Sequence, residues 1–352
     1  MLHTLRGSLA VLLLPLLAAN AAKFRPEEGH ILSNGTYRLP VPFDIASTQT
    51  NKEGAEGASF WSSSFILGSN NHSYMILSHV LANLSLYRAS ILDITDPSLY
   101  TQFETLSNST TSVYSETGVF NASFPDYGFG STSPSDGLSE IRTWSAVPGA
   151  EFDLTFETTS PVLLNGGLGV FKAGNKTVYE WSMPAGKTRG WLNANGTRVL
   201  VDAAQSLTWY DRQWGGAPPD WSWFELHLEN VNGTDVPLSI WVWDEEGGQR
   251  GLATVRDGDV QNVVPVASLE TSGRTFTSKA SGATYPLDWS LRLADGTELS
   301  ISSVRDDQEL YAPGGKLPTY EGYVTVTGVY KGHQHVEGYG LIEVTPPNAI
   351  GA

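Results

Sequence analysis

Four segments of this chain, "EFDLTFETT" (151–159), "LSIWVWDEE" (238–246), "LDWSLRLADG" (287–296) and "EGYVTVTGVY" (321–330), alternate side-chain character with a period of two. Only an extended strand puts every second residue on one face, so this alternation restricts the chain to half-buried sheets. Glycine and proline interrupt the pattern at intervals of roughly 8 to 15 residues, and turn signals such as Ala294-Asp295-Gly296 close the strands, as in antiparallel all-β domains. "SHVLANLSLYRASILDI" (78–94) has partial helical spacing but reads equally well as strands. The run Gly-Gly-Ala-Pro-Pro-Asp at 215–220 marks a hinge between two β units, 22–215 and 216–352. Each is of ordinary domain size. An imperfect echo between "RGWLNANGTRVLVDAAQSLTWYDRQWG" and "YEGYVTVTGVYKGHQHVEGYGLIEVT", which close the two units, supports the division.

The amino terminus predicts a compartment. Arg6, the apolar run Leu9 to Leu17 and the small-x-small site Ala19-Asn20-Ala21 read as a secretory signal peptide over residues 1–21. That run is too short to span a bilayer, and no later stretch is long enough, so stable membrane insertion is not expected. Asn-x-Ser/Thr sequons at Asn34, Asn71, Asn83, Asn108, Asn121, Asn175, Asn195 and Asn232 agree with passage through the secretory pathway. The chain has no cysteine, which removes thiol nucleophiles, disulfides and Cys-bound zinc. A formal net charge of −16 argues against nucleic acid as a partner. No obligate protein partner is evident.

The chemistry concentrates in "TWYDRQWGGAPPDWSWFELHL" (208–228), which holds four of the eleven tryptophans. On a strand, Trp221, Trp223, Glu225 and His227 share one face while Phe224, Leu226 and Leu228 share the other. The second face is core. Two indoles beside two titratable groups suit a pocket wall, and also suit the wet end of a strand. Trp241 and Trp243 repeat the theme one hairpin later and can lie cross-strand from the first pair. Asp211 and Arg212 point to opposite faces of a regular strand; Arg212 can pair with a carboxylate, stack on Trp214 or meet a ligand oxygen. The expected pocket lies between the two units, lined by Tyr179, Trp181, Trp214, Trp223 and Trp241. Other signals carry little. His333 and His335 share a face without a third ligand, so no metal is expected; no Gly-x-Ser-x-Gly elbow occurs; and "GGLGVFKAG" (166–174) lacks the context of a phosphate loop. No cofactor is expected.

"TWYDRQWGG", "YEWSMPAGKTRGWL" and the closing segment from Glu321 resemble the strand motifs of a two-domain lipocalin-like family. That family contains carotenoid 1,2-hydratase (hydroxyneurosporene synthase), kievitone hydratase and fungal Diels-Alderases and hetero-Diels-Alderases. The resemblance implies an N-terminal β-sandwich-like domain, a C-terminal lipocalin-like barrel, and an apolar ligand between or inside them. Carotenoid hydratases of the group read Asp-His where this chain has Asp211-Arg212, which weighs against carotenoid chemistry. Two readings lead. A [4+2] cyclisation of a polyketide or terpenoid needs folding of the substrate and at most a donor such as Arg212, Gln213 or an indole N–H. Addition of water to an alkene needs Asp211 or Glu225 held neutral as acid and indole faces to bear the cation, at ~2 kcal/mol each. The cyclisation is the leading expectation, with hydration next. A carrier of apolar ligands and a glycan-active protein complete the alternatives.

Overall fold

The computed structural model describes residues 44–49, 58–106, 120–133, 137–216, 220–229, 235–258, 260–311 and 317–346. The expected signal segment and the sequons Asn34, Asn108 and Asn232 lie outside them. The first unit contains β1 (Ser59–Leu67), β2 (Ser73–Leu81), β3 (Leu86–Asp93), β4 (Tyr100–Leu106), β5 (Asn121–Ser123), β6 (Tyr127–Ser131) and β7 (Glu140–Ser145). It continues through β8 (Phe152–Glu157), β9 (Leu163–Leu164), β10 (Val170–Ala173), β11 (Lys176–Ala194), β12 (Thr197–Leu200) and β13 (Leu207–Gly215). These strands form one curled sheet along the path β4-β3-β2-β1-β13-β11-β8-β7-β6-β5, with β9, β10 and β12 also pairing β11. Its concave side closes over a core that includes Phe60, Tyr87, Phe129, Phe156, Trp181 and Tyr210. The segment at 78–94, ambiguous in sequence, forms parts of β2 and β3 joined by the 3-10 turn Ala82–Leu84.

The second unit contains β14 (Trp221–Glu229), β15 (Asp235–Glu245), β16 (Gly248–Asp257), β17 (Val260–Thr271), β18 (Thr275–Thr277) and β19 (Thr284–Pro286). It ends with β20 (Asp288–Leu293), β21 (Glu298–Ser303), β22 (Glu309–Leu310), β23 (Thr319–Tyr330) and β24 (Gln334–Val344). Pairing of β21 with β23 closes β21-β20-β17-β16-β15-β14-β24-β23 into an eight-stranded barrel. The barrel interior is packed by Phe224, Leu226, Ile240, Trp289, Tyr320 and Ile342 among others. The all-β, two-unit expectation therefore holds, with the first unit built as one curled sheet.

Burial along each strand shows where the units meet. Strands β7, β8, β20 and β21 alternate, with one face in a core and the other toward solvent. By contrast, β1 is buried at eight consecutive positions and β14 at six, Trp223 to Leu228. A strand buried on both faces must be covered on both. The second cover of each of these strands is the other unit, through a shared cluster that includes Trp61, Trp209, Trp223 and Trp241. A buried tryptophan removes roughly 150–250 Å² from water, about 4–6 kcal/mol, so four such side chains at one interface weigh heavily in docking the units.

Two glycines shape this seam. Gly190 has φ +135° and lets β11 bend from β13 toward β8; a Cβ there would lie 2.0 Å from the Asp153 carbonyl oxygen. Gly340 on β24 allows the close approach to β14 that positions Glu225, since a Cβ would lie 2.0 Å from the Glu225 carbonyl oxygen. Gly340→Ala is expected to cost about 1–3 kcal/mol in urea denaturation, as overpacking does. Gly137→Ala, whose Cβ would meet nothing closer than 3.6 Å, is the near-neutral control.

Candidate active site

The face of the first sheet turned away from its own core, toward the barrel, carries a polar row across six strands. Glu104, Arg88, His79, Trp61, Asp211 and Ser182 lie directly opposite one another in successive ladders from β4 to β11. The barrel presents a matching row, Glu321, Glu343, Trp223 and Trp241, from β23 to β15. The rows meet through side chains. Trp61 Nε1 donates to Glu321 Oε2 at 2.8 Å, and Arg88 Nη1 donates to Thr319 Oγ1 at 2.9 Å and to Glu321 Oε1 at 3.4 Å. Arg88 Nε donates to Glu104 at 3.0 Å, which completes an acid-base-acid triad across the seam. One step along, the Ser63 hydroxyl donates to Glu225 Oε1.

Indoles wall this polar centre. Trp61 and Trp223 pack edge to face at 5.0 Å, Trp209 stands edge-on to Trp223 at 6.4 Å, and Trp241 lies 4.9 Å from Trp221 and 5.7 Å from Phe171. Asp211 and Glu180 are neighbouring buried carboxyls, with the indole N–H of Trp209 turned to the first and that of Trp241 to the second without closing a regular hydrogen bond. Asn165 Nδ2 donates to Ser182 Oγ at 3.1 Å at the same end.

Burial sorts the acids into two kinds. Loss of water pushes Asp211 up to about 6 and lifts Glu180 and Glu225 well above the carboxylate range, with the Asp211 charge adding to both glutamates. Burial beside Glu321 does the same to Glu343. Glu321 is the exception. Burial opposes its ionisation, but His79, Arg88 and the Trp61 N–H outweigh that and hold it below the ordinary value. His79 and His227 are both lowered by burial, His227 to about 4, so both imidazoles are neutral at ordinary pH. The site thus holds Glu321 as a stabilised anion, Glu180 and Glu225 as neutral acids and Asp211 as an acid that keeps its proton below about pH 6, against indole faces: proton donors beside surfaces that tolerate positive charge.

The residues singled out in sequence divide by strand parity. Asp211, Glu225, Trp221, Trp223, Trp241 and Trp243 lie at the seam, with Trp221 opposite Trp243 and Trp223 opposite Trp241. Gln213 is half-buried opposite Glu180. Tyr179, Trp181, Arg212 and Trp214 lie on the other face, in the core of the first unit, so the expected single wall of Tyr179, Trp181, Trp214, Trp223 and Trp241 does not form. The physical reason is the two-residue repeat: in β11 it is Glu180 and Ser182, not Tyr179 and Trp181, that share the seam face. Trp181 Nε1 donates to Thr48 Oγ1 at 2.9 Å, and Tyr179 stacks on Trp214 at 5.3 Å. Arg212 bonds the carbonyls of Thr48, Ser59 and Gln213 and lies over Phe60 and Trp214, tying down the helical turn Ile45–Thr48. His333 sits exposed at a hairpin turn, and among the described residues no group of three His, Asp or Glu is placed to hold a metal. The sequence reading missed Trp61, His79, Arg88, Glu180, Glu321 and Glu343. The available signal was an acid inside an apolar strand, as in "YEWSM" and "LIEV".

Two β units docked over buried acids and indoles hold the site of an enzyme whose relatives are named a hydratase and a dehydratase. The chain belongs to the AttH-like family, which it matches over residues 78–346. It is 35% identical over 334 residues to kievitone hydratase of Fusarium solani subsp. phaseoli, covering 92% of this chain and 91% of that protein. It is 30% identical over 355 residues to dehydratase asqC of Emericella nidulans, covering 94% and 96%. The crystal structure of kievitone hydratase from Nectria haematococca superposes with a TM-score of 0.80 at 31% identity, over 93% of this chain and 98% of that one.

The carboxyl shifts have a stability consequence. A group whose folded pKa is raised contributes stability below its unfolded pKa and loses it as pH rises through the folded value, so Asp211 weakens the fold between its unfolded value of 3.8 and about 6. Asp211→Asn should therefore shrink the fall in unfolding free energy between about pH 3 and about pH 7, by on the order of 2–3 kcal/mol in urea titrations.

Proposed function

We propose that the protein is a hydro-lyase that adds water to, or removes it from, an alkene-forming position on a small apolar natural product of polyketide or terpenoid type. The observation that carries this reading is the buried Asp211–Glu180 pair facing a wall of indoles, with Asp211 raised to about 6 by desolvation and Glu180 kept protonated by desolvation and the Asp211 charge. In hydration, a proton passes from the pair to one alkene carbon, and the neighbouring carbon becomes cationic. The faces of Trp61, Trp209, Trp223 and Trp241 stabilise that cation, at ~2 kcal/mol for a desolvated ring. Water then bonds to the cationic carbon and gives up a proton. Dehydration is the reverse. The relatives named hydratase and dehydratase support this chemistry. It draws only on groups of the chain itself.

A [4+2] cyclisation is the second reading, favoured by the aromatic enclosure: Trp61, Trp209, Trp223 and Trp241 can fold a flexible substrate without any proton transfer. The readings separate in ¹⁸O-labelled water. A hydro-lyase puts solvent oxygen into the alcohol, after correction for carbonyl exchange, whereas an intramolecular cycloadduct stays unlabelled. Asp211→Asn is expected to reduce kcat/KM by roughly 10²- to 10⁴-fold, and the wild-type rate should fall as pH rises through the Asp211 titration at about 6. A substantial residual rate in that variant, with unlabelled product, would favour cyclisation.

Passage through the secretory pathway is part of the same proposal. The sequons Asn71, Asn121, Asn175 and Asn195 are exposed, and Asn71 and Asn195 occupy left-handed positions with φ of 62° and 51°. Protein secreted by a fungal host should lose mass on treatment with an N-glycosidase.

A further inference from the structure

Glu225 and His227 play no part in the proton transfer assigned to Asp211 and Glu180, yet they are the most enclosed titratable pair on the barrel side of the seam. Glu225 is 0% and His227 1% exposed. Each keeps one polar atom, Glu225 Oε2 and His227 Nε2, that makes no hydrogen bond within the chain. An atom of this kind costs free energy wherever it is left unmatched, so a structural role alone would be better served by an apolar side chain.

We infer that Glu225 and His227 form the seat of the reaction's oxygen, holding one water molecule, or the substrate hydroxyl it becomes, between Glu225 Oε2 and His227 Nε2. The two residues lie on one face of β14, two positions apart, which separates them by about 6.6–6.8 Å along the strand. A water with hydrogen bonds of about 2.8 Å to both groups requires Glu225 Oε2 and His227 Nε2 to converge to within about 5.6 Å, closer than their Cα atoms. Their neighbours fix both groups. Ser63 occupies Glu225 Oε1, while the flanking Ser239 hydroxyl already accepts from Trp223 Nε1 at 2.9 Å. The His227 ring is stacked on Tyr339 at 5.3 Å and met edge-on by Trp209 at 5.5 Å and Phe65 at 5.7 Å. Burial keeps Glu225 protonated and His227 neutral, so one side can donate to the water and the other can accept from it.

The inference rests on the hydro-lyase reading and completes its balance. As the proton from Asp211–Glu180 forms the new C–H bond, the water oxygen forms the C–O bond, and the proton it loses passes to His227 Nε2. The imidazolium releases that proton to solvent and the carboxyl pair regains one, so alkene plus water gives alcohol with no net change in the protein.

The test reads binding and needs no turnover, which separates it from failure of the hydro-lyase reading itself. Quenching of tryptophan fluorescence is titrated with tert-amyl alcohol and with the branched alkene formed by its dehydration. The intact wild-type chain is expected to bind the alcohol about tenfold more tightly than the alkene, the worth of one buried hydrogen bond. His227→Phe should retain alkene affinity and lose this preference, and His227→Gln should recover part of it. Should His227→Phe fail to fold, Glu225→Gln with Ser63 intact should reduce the preference in the same way. Equal affinity of the wild type for alcohol and alkene, or a preference unchanged in the folded variants, overturns the assignment.

Discussion

Glu321 reaches out of the barrel into the first sheet, and the arrangement of the site follows from how it is received there. Arg88 and the Trp61 N–H hold its carboxylate across the seam, and Arg88 is balanced by Glu104 behind it. A buried ion pair of this kind returns little net stability after desolvation, but removing one partner strands a charge, so it fixes register more than it adds strength. It seats β23 over β1, β2 and β3, and with them the facing rows of acids and indoles.

Burial without a cation explains the state of the neighbouring acids. Asp211, Glu180 and Glu225 are buried at the seam, and among the described residues none of the three has a cation in contact with its oxygens, as Glu321 and Glu104 have in Arg88. Glu180 and Glu225 avoid the cost of buried charge by keeping their protons, and Asp211 keeps its own up to about pH 6. Neutral carboxyls are what acid catalysis of alkene chemistry requires, so the property that weakens the fold at higher pH is the one the chemistry uses.

Much of this was legible in the sequence. The period-two segments and the turns were read correctly as all-β architecture because local side-chain alternation follows directly from strand geometry. The indole cluster at 208–228 and 241–243 and the parity that places Trp223, Glu225 and His227 together on β14 were legible for the same reason. The resemblance of the strand motifs to the lipocalin-like enzymes pointed to the same architecture.

The partners across the seam were not legible, since Trp61 and Glu321 are 260 positions apart and no local pattern links them. Whether an alternating strand is half-wet or buried on both sides depends on what docks against it, and that decided the environment of Glu225 and His227. The same limit applied to β11, whose Tyr179 and Trp181 resemble pocket residues by type but face the first unit's own core. Sequence alone determined which side chains share a face of each strand. Tertiary structure decided which faces meet and exclude water, and exclusion of water is what turned ordinary carboxyls into candidate acids.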